Sequence, residues 1–372
     1  MAFIYKRTVF SLPPKADRVK FLAVTMNLYD ELCSFEHLYH AFLRARKGKR
    51  GQEEIAAFER NLEPELFDLQ ESLRNQTYQP GGYFSFYRTE AKRRLISAAP
   101  FRDRVVHHAL VGVMEPFYER RFIFDTYANR KGKGTHRALD RCTYFLRRNA
   151  YSLQCDVRQF FPSIDHQILE TMIARVIPDE KVLRLAGQII ATGVGVLDEE
   201  YEMVYFPGDT LFAANRPRGL PIGNLTSQFW ANVYLNALDQ FIKRELKCRC
   251  YLRYVDDFLL FADDKASLHA WKRDIIQFLA GLRLTIHEET APVRPAGEGI
   301  PFLGFIVFPD HRRLKPARGY EFRRRFWQKQ GMAANGEIEP EKLSLSVQGW
   351  VAHVAHGDTW GLRRTVLSSR RP

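Results

Sequence analysis

Two adjacent acids, Asp256 and Asp257, stand between two short apolar runs, residues 251–254 and 258–261, with Val255 ahead of them. Both runs have the length and composition of strands, so the acids fall at a hairpin tip. Neighbouring carboxylates repel, and each is costly to desolvate. A divalent cation offsets both penalties, and magnesium takes oxygen ligands while keeping substrate phosphates in its shell. Two such ions about 3.5–4 Å apart stabilise the attacking and leaving oxygens of an in-line phosphoryl transfer. A further carboxylate on a neighbouring strand must then bridge them, and Asp156, at the end of the strand-like stretch 151–157, meets that need. Asp is also common in turns, so the pair alone says little; the apolar strands on both sides and Tyr254 favour a metal site. The second pair, Asp263-Asp264, reads as a solvated strand end.

The rest of the chain alternates helix and strand. Apolar residues recur at three and four over residues 27–46 (Leu28, Leu32, Phe35, Leu38, Tyr39, Phe42), which predicts one amphipathic helix. A second helix is expected over 53–73, kinked or broken by Pro64. A strand at 83–87 leads into the basic Lys92-Arg93-Arg94, and helix returns over 103–120. Pro162-Ser163 is expected to open a helix buried through Ile168, Leu169, Met172, Ile173 and Val176; 193–206 is weakly strand-like, and 225–246 is helical. Further strands are expected at 284–287 and 302–308, and basic helices beyond about Tyr320, with Trp327, Trp350 and Trp360 packing among them.

Lys plus Arg number 56 against 43 Asp plus Glu, a formal charge of +13, which suits either a polyanionic partner or a basic solvated surface. The five cysteines include no CxxC pair, so reduced thiols are expected rather than structural zinc. No apolar run reaches membrane-spanning length and no secretory signal is read; with reduced thiols as the default, a cytoplasmic setting is expected. Gly132-x-Gly134-Thr135 lacks the Gly-Lys-Ser/Thr ending of a phosphate loop. His107-His108 and His353-x-x-His356 are expected to be buried or capping residues, since no Glu general base lies between the latter two.

Tyr254-Val255-Asp256-Asp257 resembles the Tyr-x-Asp-Asp box of reverse transcriptases. Asp156-Val157-Arg158-Gln159-Phe160-Phe161 resembles their first catalytic box, Lys92-x-Arg94 their nucleotide-gripping element, and Phe302-Leu303-Gly304 the segment that holds the primer end. Leu220-Pro221-Ile222-Gly223-Asn224-Leu225-Thr226-Ser227-Gln228, with Ile222 where most members carry Gln, resembles the enzymes of diversity-generating retroelements. Phe206-Pro207-Gly208-Asp209 and Gly349-Trp350 also resemble that group.

The resemblance implies an α+β right-hand polymerase: an N-terminal helical extension over 1–68, fingers and palm over 69–315 and a helical thumb over 316–372. It implies an RNA-directed DNA polymerase working with two Mg2+ ions, Mn2+ being able to replace them. Asp156, Asp256, Asp257 and the Val157 carbonyl are the expected ligands. Lys92, Arg94, Phe161, Ile222, Gly223 and Gln228 are expected at the deoxynucleoside triphosphate, with Phe161 as the gate against a ribose 2′-hydroxyl and Phe160 in the core, an assignment that rests on spacing alone and leaves the reverse one open. Tyr254, Asn224, Arg93 and Gly304 are expected near nucleic acid, although Arg93 is equally well read as solvated. Asn224 and Gln228 either reach the template strand or cap the following helix. The implied partners are a template-repeat RNA, a primer or cDNA strand and a small basic accessory protein, with no membrane. The implied product is cDNA with frequent errors opposite adenine, in a bacterial, archaeal or phage setting. A retron or phage-defence enzyme and a non-catalytic, maturase-like RNA-binding protein are the competing readings. No Lys lies in His287-Glu288-Glu289-Thr290, so no general acid is assigned; His287, Arg294 and water are the candidates.

Overall fold

The computed structural model describes residues 27–89 and 93–368. In chain order the elements are α1 (Leu28–Leu32), α2 (Phe35–Ala45), α3 (Glu53–Arg60), α4 (Leu62–Arg74), β1 (Phe84–Thr89), β2 (Arg93–Ala98), α5 (Phe101–Glu119) and α6 (Thr135–Leu146). There follow β3 (Tyr151–Asp156), α7 (Phe160–Ser163), α8 (His166–Ala174), α9 (Glu180–Ala191), α10 (Leu225–Gln240), β4 (Cys250–Tyr254), β5 (Asp257–Ala262) and α11 (Lys265–Gly281). The chain ends with β6 (Val293–Pro295), β7 (Ile300–Phe302), β8 (Phe305–Val307), β9 (Arg312–Leu314), α12 (Pro316–Ala334), α13 (Pro340–Val354) and α14 (Trp360–Ser368). This is a mixed α+β chain whose contacts sort it into two interleaved units.

The first unit joins residues up to Arg120 with His166–Val196 and Pro221–Ser227. Helices α1, α2 and α3, with Leu32, Leu38, Phe42 and Ile55 buried, pack on α5, where Phe101, Val105 and Leu110 are buried, and α4, with Leu66 and Leu69 buried, packs on α2 and α3. The single helix expected over 27–46 is two: the chain breaks at Cys33-Ser34, where the Ser34 hydroxyl accepts the His37 N–H and caps α2. The break expected at Pro64 lies at Asn61, which puts Pro64 in the first turn of α4, where a missing N–H costs nothing. The hairpin β1–β2 is the unit's one described sheet and is anchored at its base. The Ser97 N–H donates to the Ile222 carbonyl at 2.8 Å, and the Ala99 N–H to Asn224 Oδ1 at 3.0 Å.

The second unit, Arg121–Asp165, Leu197–Leu220 and Gln228 onward, holds the four-stranded sheet β4-β5-β3-β6 and the three-stranded sheet β7-β8-β9. The β3, β4 and β5 strands have buried residues on both faces, with Gln154 and the strand-end residues Asp156, Tyr254 and Asp257 half-buried. Leu252, Leu259 and Phe261 join the α6 side chains Leu139, Cys142 and Phe145 in one core, with Phe302 and Phe305 of the smaller sheet. Tyr251, Phe258 and Leu260 point to the opposite face by the two-residue alternation of a strand.

Three expectations fail here for local reasons. Pro162-Ser163 closes the one-turn α7 rather than opening a long helix, and α8 starts afresh at His166. The stretch 193–206 has no strand, only a 3-10 turn at Asp198–Glu200. Residues 302–308 are not one strand but the turn and second strand of a hairpin, because Leu303 (φ 47°) and Gly304 (φ 91°) both adopt the left-handed backbone of a tight β-turn. Trp350 packs face to face on Phe322 at 4.0 Å, as expected, whereas Trp360 is 71% exposed. Asp264 caps α11 through the Ser267 N–H at 2.7 Å and is more than a solvated strand end.

Candidate active site

Strand register brings the separated acids together. Asp156, last in β3, lies directly opposite Asp257, first in β5, and Tyr254 pairs with the same Asp257 from β4. The β4–β5 connection is therefore Val255-Asp256, a tighter tip than the three residues expected. Asp256 is tied to β3 by the Val157 N–H, which donates to its carbonyl at 3.3 Å. Val157 itself is buried and bridges to Ile286, while the His287 N–H donates to the Asp156 carbonyl at 3.0 Å. His287 thus lies at the backbone of the first acid, and Arg294 is an exposed residue of β6.

Asp156, Gln154, Tyr254 and Asp257 share one face of the sheet. Gln154 Nε2 donates to both Asp257 oxygens, at 3.0 and 3.2 Å, a contact the sequence did not single out. Its signal was there: a lone amide two residues before Asp156 on an apolar strand points the same way. Burial pushes the Asp257 carboxyl up to about 7 against the Gln154 hydrogen bond; Asp156 and Asp256 add to the rise, and the Lys315 ammonium opposes it. Excess negative charge of this kind is what a divalent cation relieves, and oxygen donors of this type suit a hard ion. Among the described residues no three His, Cys, Asp or Glu side chains are drawn tightly enough together to hold an ion between them. Register nonetheless brings Asp156 and Asp257 to one end of the sheet beside the Val255-Asp256 tip.

The other expected site residues fall as follows. Phe160 is buried and Phe161 half-buried, the rings edge to face at 5.4 Å. Gly223 has φ 122°, a backbone that L side chains rarely adopt, and a Cβ there would lie 3.0 Å from Ile96 Cγ2, close enough that Ile96 would have to give way. Ile222 is half-buried and Gln228 is exposed within the first turns of α10, not at its cap. Asn224 is corrected: it is 2% exposed and its amide is spent inside the protein, on the Ala99 N–H, the Ser97 carbonyl at 2.8 Å and the Pro221 carbonyl at 3.2 Å. It clamps the hairpin base and neither faces solvent nor caps α10. The Tyr254 hydroxyl meets Thr135 Oγ1 at 3.1 Å. Gly304 turns the β7–β8 connection, and its carbonyl accepts the Lys315 N–H at 2.9 Å. Arg93 and Arg94 are exposed on opposite faces of β2, Arg93 with its guanidinium 3.7 Å over the Tyr87 ring; Lys92 lies outside the described residues. Among the described residues no helix is long and apolar enough to cross a membrane.

Protein YkfC of Escherichia coli is 24% identical over 302 residues, covering 70% of this chain and 74% of that one. The group II intron-encoded protein LtrA of Lactococcus lactis is 25% identical over 183 residues, 48% of this chain but only 28% of LtrA. Among solved structures, apo telomerase from Candida tropicalis superposes with a TM-score of 0.46 at 12% identity, over 63% of this chain and 55% of that one. Residues 87–307, more than half of the chain, match the profile described as reverse transcriptase (RNA-dependent DNA polymerase), so the chain belongs to the reverse transcriptase family.

Proposed function

We propose that the chain copies RNA into DNA with Asp156, Asp256 and Asp257 as its catalytic acids, serving two Mg2+ ions for which Mn2+ can stand in. The observation that carries this reading is the register that sets Asp156 against Asp257 beside the Val255-Asp256 tip. Bound divalent ions would lower the pKa of a primer 3′-hydroxyl and neutralise departing pyrophosphate. In this reading Asp156 and Asp256 hold the ions, with the Val157 carbonyl, and Asp257 supports them through its bond to Gln154. Phe161 excludes a ribose 2′-hydroxyl, and Arg94 with Lys92 grips the triphosphate by charge-assisted hydrogen bonds. Residues 69–315 would form fingers and palm, and 316–372 the thumb, with Gly304 and Tyr254 toward the primer.

We further propose that the template is the repeat RNA of a diversity-generating retroelement, copied with errors opposite adenine and in company with a small basic accessory protein. The support is Ile222 in the segment 220–228. A Gln at this position has both donor and acceptor near the templating base; Ile has neither, so polar discrimination is weakened. Primer extension on an adenine-containing RNA tests it. Ile222→Gln is expected to lower misincorporation opposite adenine by about threefold or more relative to other template bases. An unchanged error spectrum removes Ile222 from the reading. The likeness to LtrA favours a second reading, an intron-type enzyme, for which the unaltered protein would show no adenine bias.

A further inference from the structure

The face of β4 turned away from the acids carries a charge in the core. Arg253 and Asp239 of α10 are both fully buried. Nε and Nη2 of Arg253 donate to the two Asp239 oxygens at 2.8 and 2.7 Å, and Asp239 also accepts the Tyr251 hydroxyl at 2.7 Å. The remaining arm, Nη1, donates to Asn232 Oδ1 at 3.2 Å and to the Val255 carbonyl at 2.8 Å. A buried ion pair is no more stabilising than two well-packed apolar residues, so its presence asks for another reason. Val255 supplies one. Its φ of 59° is left-handed, a conformation that a β-branched residue adopts only when its surroundings impose it. The carbonyls on either side of that residue's link to Asp256 are both held: Val255's by Arg253, and Asp256's by the Val157 N–H.

We propose that Arg253 is a positioning residue for polymerisation. Its guanidinium, braced by Asp239, holds Val255 left-handed and so sets the direction in which Asp256 presents its carboxylate beside Asp156. The planar fork is essential, because one edge must face Asp239 while the third nitrogen reaches the turn, and a lysine ammonium cannot do both. The inference rests on the reading of Asp256 as a catalytic acid.

The paired variant Arg253→Met/Asp239→Asn removes the turn contact without leaving a buried charge unpartnered, and Arg253→Lys removes it with the ion pair kept. With folding checked by circular dichroism, either variant is expected to lose kcat about 100-fold, with KM for the deoxynucleotide within about threefold, as misplacement of a reacting group by an ångström does. Adding Val255→Gly, which accepts a positive φ freely, is expected to return about tenfold of that kcat, while Val255→Gly alone gives no increase. A purely structural arginine would be indifferent to Val255→Gly. Near-normal kcat in a folded variant, a loss that Val255→Gly does not recover, or failure of both variants to fold each overturns the proposal. An active Asp256→Asn would instead sink the catalytic reading beneath it.

Discussion

Two of the antiparallel hairpins among the described residues, β1–β2 and β4–β5, carry ionic residues, and the fold treats them in opposite ways. Every residue of β1 is exposed, Phe84 to 73%, whereas β5 is buried from Phe258 to Ala262. The β1–β2 ribbon is held at its base by Ser97, Ala99 and Asn224; the β4–β5 ribbon lies between β3 and helices and is pinned at its tip by Arg253 and Val157. The difference follows from side-chain length. Arginine carries its charge on a long stem that stays hydrated, so its backbone need not be placed finely. An aspartate has one methylene, so its oxygens go where the backbone puts them, and only a buried sheet fixes them to a fraction of an ångström.

The largest expected break in this contrast is at the buried tip. Asp256→Asn keeps size and fold but removes the anion, and primer extension by the folded variant is expected to fall by about 10³-fold or more, since metal-assisted charge stabilisation is worth several kcal/mol. Retained extension at a tenth of the normal rate would mean that the acids at the tip are not the reacting centre.

A smaller effect is expected in stability. The Asp257 carboxyl is raised from the ordinary 3.8 to about 7, so between those values the folded, metal-free protein keeps a proton that the unfolded chain has released. The stabilisation is complete below about pH 4 and is lost as pH rises toward 7, at up to about 1.4 kcal/mol per pH unit. Thermal melts across pH 4–8 are expected to show this slope in metal-free protein and to lose it in Asp257→Asn. Added Mg2+ favours the ionised form, so it is expected to raise the melting point more at the alkaline end. A slope that survives Asp257→Asn belongs to other groups.

What was legible in the sequence follows the same division. β3, β4 and β5 and their acids were readable because a carboxylate in an apolar run is a local anomaly with few explanations. Arg253 and Gln154 are anomalies of the same kind, but their meaning depends on partners that only the folded sheet brings near, Asp239 across to α10 and Asp257 on the diagonal. The hairpin at 300–307 was hidden because Leu303 adopts a backbone that its side chain disfavours. Asn224 was misread because its residue type suits a cap or a ligand equally well; only its burial against Ser97 and Ala99 shows the amide to be a clamp. The irregular segment 197–220 has no periodicity to read and is held instead by ion pairs, Asp209 with Arg216 and Arg283, and Arg216 with Asp165.

The exposed hairpin offers the finest test, because two adjacent arginines there differ only in face. Register places Arg94 opposite Arg88, on the side of Phe86 and Ile96, and Ile96 is the residue that a Cβ on Gly223 would strike. Arg93 points the other way and covers Tyr87. If the Gly223 side of the ribbon meets the nucleotide, Arg94→Ala is expected to raise KM for the deoxynucleotide by about tenfold or more, the value of one or two charge-assisted hydrogen bonds. Arg93→Ala, which gives up a solvated stacking contact, is expected to change it by less than about threefold. Neither variant should move the melting point, since both side chains are exposed. Steady-state kinetics on a fixed RNA template separate the two, and equal effects would mean that the ribbon's two faces do the same work and that its exposure carries no directional information.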